Sequence, residues 1–166
     1  MRTLSDLLVE RVETLTRMEQ MFKSKNRDFF VSLLTNPDRV IRIRALSVLE
    51  VIGDASVIEP VGQVLLKDTD PVVRHEAAYV LGQLGYSVAL RFLERAVQED
   101  REPIVRHESA VAIGVIGNQT SRRVLEKVIA EDREEIVRFS AEIALTNLDY
   151  LASHGRDSEF SKLTGG

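Results

Sequence analysis

The feature that most constrains the fold is a repeat. The segment VRHEAAYVLGQLG at 73–85 returns as VRHESAVAIGVIG at 105–117, a shift of 32 residues. The same shift aligns Arg42, Arg74, Arg106 and Arg138; Ala45, Ala77, Ser109 and Ala141; and Leu49, Leu81, Ile113 and Leu145. A fixed period of this length is typical of solenoids, in which each repeat packs only on its neighbours.

Each repeat is predicted to be a pair of helices. Asp70 before Pro71 provides a helix N-cap followed by proline in the first turn, and Gly85 ends that helix. Between these points the apolar residues follow the 3.6-residue period of one helix face. They are Val73, Ala77, Val80, Leu81 and Leu84. A second apolar stripe follows at Leu90, Leu93, Ala96 and Val97. The sequence therefore predicts an all-α fold, an α-solenoid of stacked helix–turn–helix repeats.

The ends of the chain depart from the repeat. Residues 1–38 are predicted to be capping helices, an amphipathic one at 3–22 and a shorter one around 29–34. The array then spans 39–152. The segment 153–166 is polar and ends in two glycines, so we expect a flexible tail there.

Composition excludes several classes of function. A net charge of −4 gives no basic surface for nucleic acid, and the absence of cysteine excludes disulfides and thiolate metal sites. No signal peptide is apparent, and no apolar run is long enough to span a membrane. We therefore expect a soluble, cytoplasmic protein that binds neither nucleic acid nor membrane.

The four arginines in register are predicted to have a structural role. They are Arg42, Arg74, Arg106 and Arg138. Because the position is occupied in the end repeats as well as the central ones, a ladder is expected, in which each guanidinium binds an aspartate or a helix-end carbonyl of the neighbouring repeat.

The His-Glu pairs 75–76 and 107–108 occur only in the two central repeats. The outer repeats carry Ile43-Arg44 and Phe139-Ser140 at the same positions, so the fold does not require histidine there. The third histidine, His154, lies in the predicted tail, and we assign it no role in a site.

A metal site is one reading of these pairs. Packed helices lie roughly 8–10 Å apart, so equivalent side chains on adjacent helices can converge on one ion. His75, His107 and Glu108 would supply two nitrogens and a carboxylate, a set that suits non-haem iron, with zinc, manganese or nickel also admissible. Glu76 would orient a ligand or bind a cationic substrate amine. The alternative is that tandem duplication copied two solvated surface pairs that bind nothing.

Gly82 and Gly114 each follow a histidine by seven residues. An internal glycine costs a helix roughly 1 kcal/mol relative to alanine, so each needs a reason. We expect close packing against the second helix of the same repeat; a wall without side chains beside the His-Glu pairs is the alternative.

The repeats resemble HEAT-like repeats of the phycobilin-lyase type, over about residues 40–151. More specifically, 72–85 and 104–117 resemble the His-Glu repeats of the deoxyhypusine hydroxylase family. His75-Glu76-Ala77 leading to Val80-Leu81-Gly82-Gln83 is similar to the first motif of that family, and Arg106-His107-Glu108 leading to Gly114-Val115-Ile116-Gly117 is similar to its second.

The resemblance implies a function as well as a fold. In that family two half-arrays face each other around a dinuclear iron centre, which uses dioxygen to hydroxylate a lysine-derived side chain of a translation factor. By this resemblance all four residues belong to the metal site: His75, His107 and Glu108 would be iron ligands, and Glu76 would orient those ligands or the substrate. This chain has one pair of motifs where the family has two, which implies a homodimer with twofold symmetry.

Two functions therefore remain open. One is a metal-binding, iron-dependent hydroxylase assembled by dimerisation and acting on a protein. The other is a non-catalytic scaffold that binds a protein partner along the array. A lyase-like or chaperone-like role is a minor variant of the scaffold, since it depends on fold analogy alone.

Overall fold

Helices begin at residues 39, 71, 103 and 135, at the interval that the repeat predicts. The structure is a computed structural model, and it describes residues 3–155. Its helices are α1 (Leu4–Lys23), α2 (Arg27–Leu33), α3 (Arg39–Ile52), α4 (Ile58–Lys67), α5 (Pro71–Leu84), α6 (Leu90–Glu99), α7 (Pro103–Ile116), α8 (Arg122–Glu131) and α9 (Glu135–His154). Short 3₁₀ turns precede α4, α6 and α8.

The helices form two layers. Helices α1, α3, α5, α7 and α9 stack side by side in one layer, and α4, α6 and α8 stack in the other. The layers are joined where α4 packs on α5, α6 on α7 and α8 on α9. The prediction of an all-α solenoid with a period of 32 residues is confirmed. Along the part of the chain that the structure describes, no helix has the length and apolar content to cross a bilayer.

Local sequence explains where the central helices start and stop. The Asp70 carboxylate accepts a hydrogen bond from the Val72 N–H, and Pro71 occupies the first turn. Gly85 ends α5 in the left-handed region at φ 73°, which favours glycine because it has no Cβ. Gly53 is in register with Gly85 but is extended, with φ −73° and ψ 162°.

The core is mostly aliphatic and continuous from the first helix to the last. Phe30, Leu46, Leu81, Ile113 and Leu148 are at most 1% exposed and belong to one cluster of buried side chains. Because each repeat covers the apolar face of the next, no single repeat buries its own core.

Gly82 marks a close approach between repeats. A Cβ built on Gly82 would lie 2.8 Å from the Ala112 Cβ and 2.9 Å from its Cα. The prediction of packing against the second helix of the same repeat was wrong for Gly82. Its neighbour is α7 of the next repeat, because α5 and α7 lie in the same layer. Gly114 instead offers its carbonyl oxygen, which accepts a hydrogen bond of 2.8 Å from the Asn147 Nδ2 in α9.

The arginines in register bridge consecutive turns between repeats. In the first three of them, Nε and Nη2 donate to both carboxylate oxygens of one aspartate, with an Nε–Oδ2 distance of 2.7 Å. The pairs are Arg42–Asp68, Arg74–Asp100 and Arg106–Asp132. The carbonyl oxygens of Asp68 and Asp100 also accept hydrogen bonds from Nη1 of the next arginine, at 2.9 Å. The ladder is therefore continuous.

The ladder changes at its two ends. Arg138 binds the carbonyl oxygens of Asp132 and Arg133, and within residues 3–155 it has no carboxylate partner. At the other end Arg11 of α1 pairs with Asp38 at 2.6 Å, so the capping helix joins the same arrangement. Arg11 lies outside the regular register, so the repeat pattern does not predict its pairing.

Acid is expected to destabilise the protein through these aspartates. Burial acts to raise the pKa of Asp132, but hydrogen bonds from Arg106 and the Glu134 N–H, with the charges of Arg106 and Arg138, together lower it. The Arg11 hydrogen bond likewise lowers the pKa of Asp38. A carboxylate whose pKa is lower in the folded state than in the unfolded state stabilises the fold at any pH above its unfolded-state pKa of about 3.9. This stabilisation is lost as the pH falls from that value through the folded-state pKa.

The measurement is urea unfolding followed by circular dichroism between about pH 6 and pH 2.5. The free energy of unfolding should fall over the acid part of that range. In Asp132→Asn the fall should be shallower, because one titrating group has been removed. An equally steep fall in the variant would contradict this account.

The ends of the structure extend the predicted elements. Helix α1 covers nearly the range predicted at 3–22, and α2 starts two residues before the predicted Phe29. Helix α9 runs to His154, so Ser153 and His154, the first residues of the predicted tail, are helical. Residues 156–166, the rest of that tail, lie outside the described residues.

Candidate functional site

The His-Glu pairs lie on one face of the α5–α7 layer. Helical spacing places Val72, His75, Glu76 and Tyr79 on the same side of α5, since they are three or four residues apart. The equivalent side of α7 carries Ile104, His107, Glu108 and Val111. We call this surface the His-Glu face. The predicted residues are therefore brought together on adjacent helices by the repeat.

His75 and Glu108 meet across the two repeats. The His75 Nε2 lies 3.3 Å from the Glu108 Oε2, with side chains 27% and 11% exposed. The contact with Glu108 raises the pKa of His75, burial opposes the rise, and the charges of Glu108 and Glu76 add to it. A partly dehydrated imidazole therefore faces a largely buried carboxylate.

His107 turns toward the last repeat instead. Its Nδ1 lies 2.6 Å from the Ser140 Oγ, and that hydroxyl lies 2.8 Å from the carbonyl oxygen of Ile136. Ser140 is 3% exposed. It aligns with Glu76 and Glu108 in the register of the repeat, so the third position of the series carries a hydroxyl in place of a carboxylate.

Glu76 is held from the opposite side by the first repeat. The Ser47 hydroxyl lies 3.0 Å from the Glu76 Oε1 and 3.1 Å from the Ile43 carbonyl oxygen. The repeats that lack His-Glu therefore supply serines that contact the pairs of the central repeats. Of the four predicted residues, Glu76 and His107 contact these flanking serines, and His75 and Glu108 contact each other.

Tyr79 is a further polar group on the His-Glu face. It is 36% exposed and shares its repeat position with Ser47. Partial burial raises the pKa of the Tyr79 phenol, and the nearby carboxylates of Glu50, Glu76 and Glu108 raise it further. Ser47, Tyr79 and Ser140 were not among the predicted site residues. The repeat register was the signal that could have identified them.

The geometry within one chain falls short of a metal centre. Among the described residues, no group of three or more histidine, cysteine, aspartate or glutamate side chains is arranged to hold an ion. The His75–Glu108 pair does bring a nitrogen and a carboxylate oxygen from two repeats to 3.3 Å of each other.

Comparisons with known proteins agree with this architecture. The family model described as HEAT repeats matches residues 27–114. Among curated proteins, no sequence matches. Among solved structures, human deoxyhypusine hydroxylase in complex with glycerol matches with a TM-score of 0.73 and 29% identity, covering 86% of this chain.

That match covers 50% of the human enzyme, so this chain spans about half the length of that relative. The resemblance inferred from the two short motifs is therefore supported by the backbone of most of the chain. The family model covers more than half of the sequence, and its range includes α3, α5 and most of α7. The chain belongs to the HEAT-repeat family.

Proposed function

We propose that this chain binds iron at the His-Glu face and acts, as a homodimer, as a dioxygen-activating hydroxylase of a protein side chain. His75, His107 and Glu108 are the proposed ligands, and Glu76 orients the substrate. The observation that carries the proposal is the meeting of His75 and Glu108 across two repeats, because it brings an imidazole and a carboxylate from separate motifs to one place.

The side chains of the His-Glu face are of the types that bind iron. Within residues 3–155 one chain does not bring enough of them together, so a second chain must supply the remaining donors. Two imidazoles and a carboxylate are a ligand set of non-haem iron proteins. One chain does not arrange three donors together in its described part, and it matches half the length of the human hydroxylase. A second copy related by twofold symmetry would bring an identical His-Glu face opposite the first and supply the missing donors.

The residues of the face have separate tasks in this proposal. Iron, when bound, supplies the activation of dioxygen. The Glu108 carboxylate balances the charge of the cation, and the imidazoles bind it once their nitrogens are free of protons. Glu76, held by Ser47, offers its second oxygen to a cationic amine on the substrate. Tyr79 lies near these carboxylates, and its phenol O–H is available as a hydrogen-bond donor.

Metal analysis tests the proposal. After anaerobic reconstitution with ferrous iron and desalting, the wild-type chain should retain about one iron per chain, as a centre with this ligand set requires. His107→Ala should reduce the iron to background, because an essential nitrogen is lost. Sedimentation of the loaded protein should give twice the chain mass.

His154→Ala is the matched control. His154 stacks on Tyr150 near the end of α9, with ring centroids 4.3 Å apart, and its removal should leave iron content unchanged. A wild-type protein without iron above background contradicts the proposal. So does equal iron loss in the two histidine variants, which would indicate nonspecific binding.

A second function, a protein-binding scaffold, is favoured by exposed apolar side chains on the same face. Val72, Ile104, Ile136 and Phe139 are 48–56% exposed on consecutive helices of one layer. Such rows are typical of interaction surfaces. A partner that stays bound after alanine replaces all four His-Glu residues, but is lost in Ile104→Asp, would support the scaffold. Loss of binding together with metal would contradict it.

A further inference from the structure

We propose that Ser140 is a positioning residue that holds His107 as the Nδ1–H tautomer and so directs the lone pair of Nε2 toward the His-Glu face. The use of that lone pair for a metal rests on the function proposed above. The assignment of the tautomer does not, since it depends only on the contacts of His107 and Ser140.

The two contacts of the Ser140 hydroxyl support this assignment. The Ser140 hydroxyl has one proton, and it contacts two groups, the Ile136 carbonyl oxygen at 2.8 Å and the His107 Nδ1 at 2.6 Å. The Ile136 carbonyl oxygen only accepts, and we assign the hydroxyl proton to it. On this assignment Ser140 accepts from His107, and Nδ1 carries the ring proton. In a neutral imidazole the other nitrogen, Nε2, is left as an acceptor or a metal ligand.

The orientation of the ring follows from the same contact. Turning the imidazole over would place a carbon and its hydrogen against the Ser140 hydroxyl in place of Nδ1. Because Ser140 is 3% exposed, little water is available to replace that lost hydrogen bond. The buried serine therefore selects both the orientation and the tautomer of His107.

The repeat shows that this position is specialised. His75 contacts the carboxylate of Glu108, which is the residue equivalent to Ser140 one repeat earlier. It does so through Nε2, whereas His107 contacts Ser140 through Nδ1. The partner in the next repeat is thus a glutamate for His75 and a serine for His107. With glutamate, Nε2 makes the contact between the helices and Nδ1 is left over; with serine, Nδ1 makes that contact and Nε2 is left for the His-Glu face.

The tautomer can be read in the metal-free protein. Long-range ¹H–¹⁵N correlation spectra of the ¹⁵N-labelled chain at about pH 8.5, roughly two units above the ordinary pKa of free imidazole, separate the two tautomers by the shifts of their nitrogens. We expect His107 as Nδ1–H in the wild type. In Ser140→Ala it should shift toward Nε2–H, and Ser140→Thr should restore the wild-type pattern, because threonine keeps the hydroxyl.

Controls come from the same spectra. His154 should be unchanged in every variant, and His107→Gln identifies the signals of His107. Circular dichroism checks that Ser140→Ala keeps the fold; Ser140→Thr tests the same idea with the hydroxyl in place. The proposal is overturned if His107 is Nε2–H in the wild type, or if its tautomer is the same in the alanine variant.

Iron binding gives a second readout. Ser140→Ala should weaken iron binding by about 10–100-fold, as loss of a group that orients a ligand typically does, and Ser140→Thr should recover it. If the wild type shows the Nδ1–H tautomer but retains no iron, the proposed function fails while the positioning of His107 by Ser140 stands. If iron binds and the alanine variant binds it equally well, the positioning role fails while the proposed function stands.

Discussion

Replacing Arg74 with methionine is expected to lower the free energy of unfolding by about 3–5 kcal/mol, the cost of breaking a buried ion pair by removing one partner. The Arg74 and Asp100 side chains are 5% and 9% exposed, and two hydrogen bonds of 2.7 and 2.9 Å join them. The substitution leaves the Asp100 carboxylate without its counter-charge. It also leaves the Asp68 carbonyl oxygen without the donor at 2.9 Å.

Equilibrium unfolding in urea measures this loss, with helix content followed by circular dichroism because the chain has no tryptophan. Arg95→Met is the matched control. Arg95 also pairs with a carboxylate, Glu99, but both side chains are more than 60% exposed. Such a pair within one helix contributes about 0.3–0.5 kcal/mol, so the control should be almost as stable as the wild type.

Two more variants separate charge from geometry. Arg74→Lys keeps the charge but loses the paired donors that match a carboxylate, so its stability should lie between that of the wild type and of Arg74→Met. Arg74→Met combined with Asp100→Leu removes both charges and should recover much of the loss. If Arg74→Met costs no more than Arg95→Met, the ladder does not stabilise the stack.

The arginine ladder and the helix caps show which parts of the fold can be predicted from local sequence. The 32-residue register identified the arginines, and the caps around Asp70 and Gly85 gave the start and end of α5, because both depend on residues close in the chain. Because neighbouring repeats pack through equivalent surfaces, the paired arginines have the same geometry from one repeat to the next. The aspartate partner of each arginine lies 26 residues further along the chain.

Contacts that depend on the offset between helices were harder to predict. Gly82 was expected to face its own repeat and instead packs on Ala112 of the next. His75 reaches Glu108 because a side chain on one helix contacts the following register position on its neighbour. The same offset joins His107 to Ser140. Periodicity alone gives the face of a helix but not this offset, which side-chain packing sets.

Phe30→Ala is expected to destabilise the protein by about 3–5 kcal/mol, the range for removing a large aromatic side chain from a core. Phe30 lies in α2, in the part predicted to be a cap, and it is fully buried. Its ring meets Phe29 edge to face, with centroids 5.3 Å apart. The variant loses this aromatic contact and leaves a cavity where the capping helices join the array.

Phe139→Ala removes the same side chain from the surface, where Phe139 is 56% exposed, and should change stability by less than about 0.5 kcal/mol. The shape of the urea transition decides what kind of cap residues 1–38 form. Because one cluster of buried side chains runs from Met18 to Leu148, Phe30→Ala should shift a single transition for the whole chain. If the variant instead shows a separate transition at lower urea concentration, the capping helices unfold independently of the array. The His-Glu face would then be stabilised by α3–α9 alone.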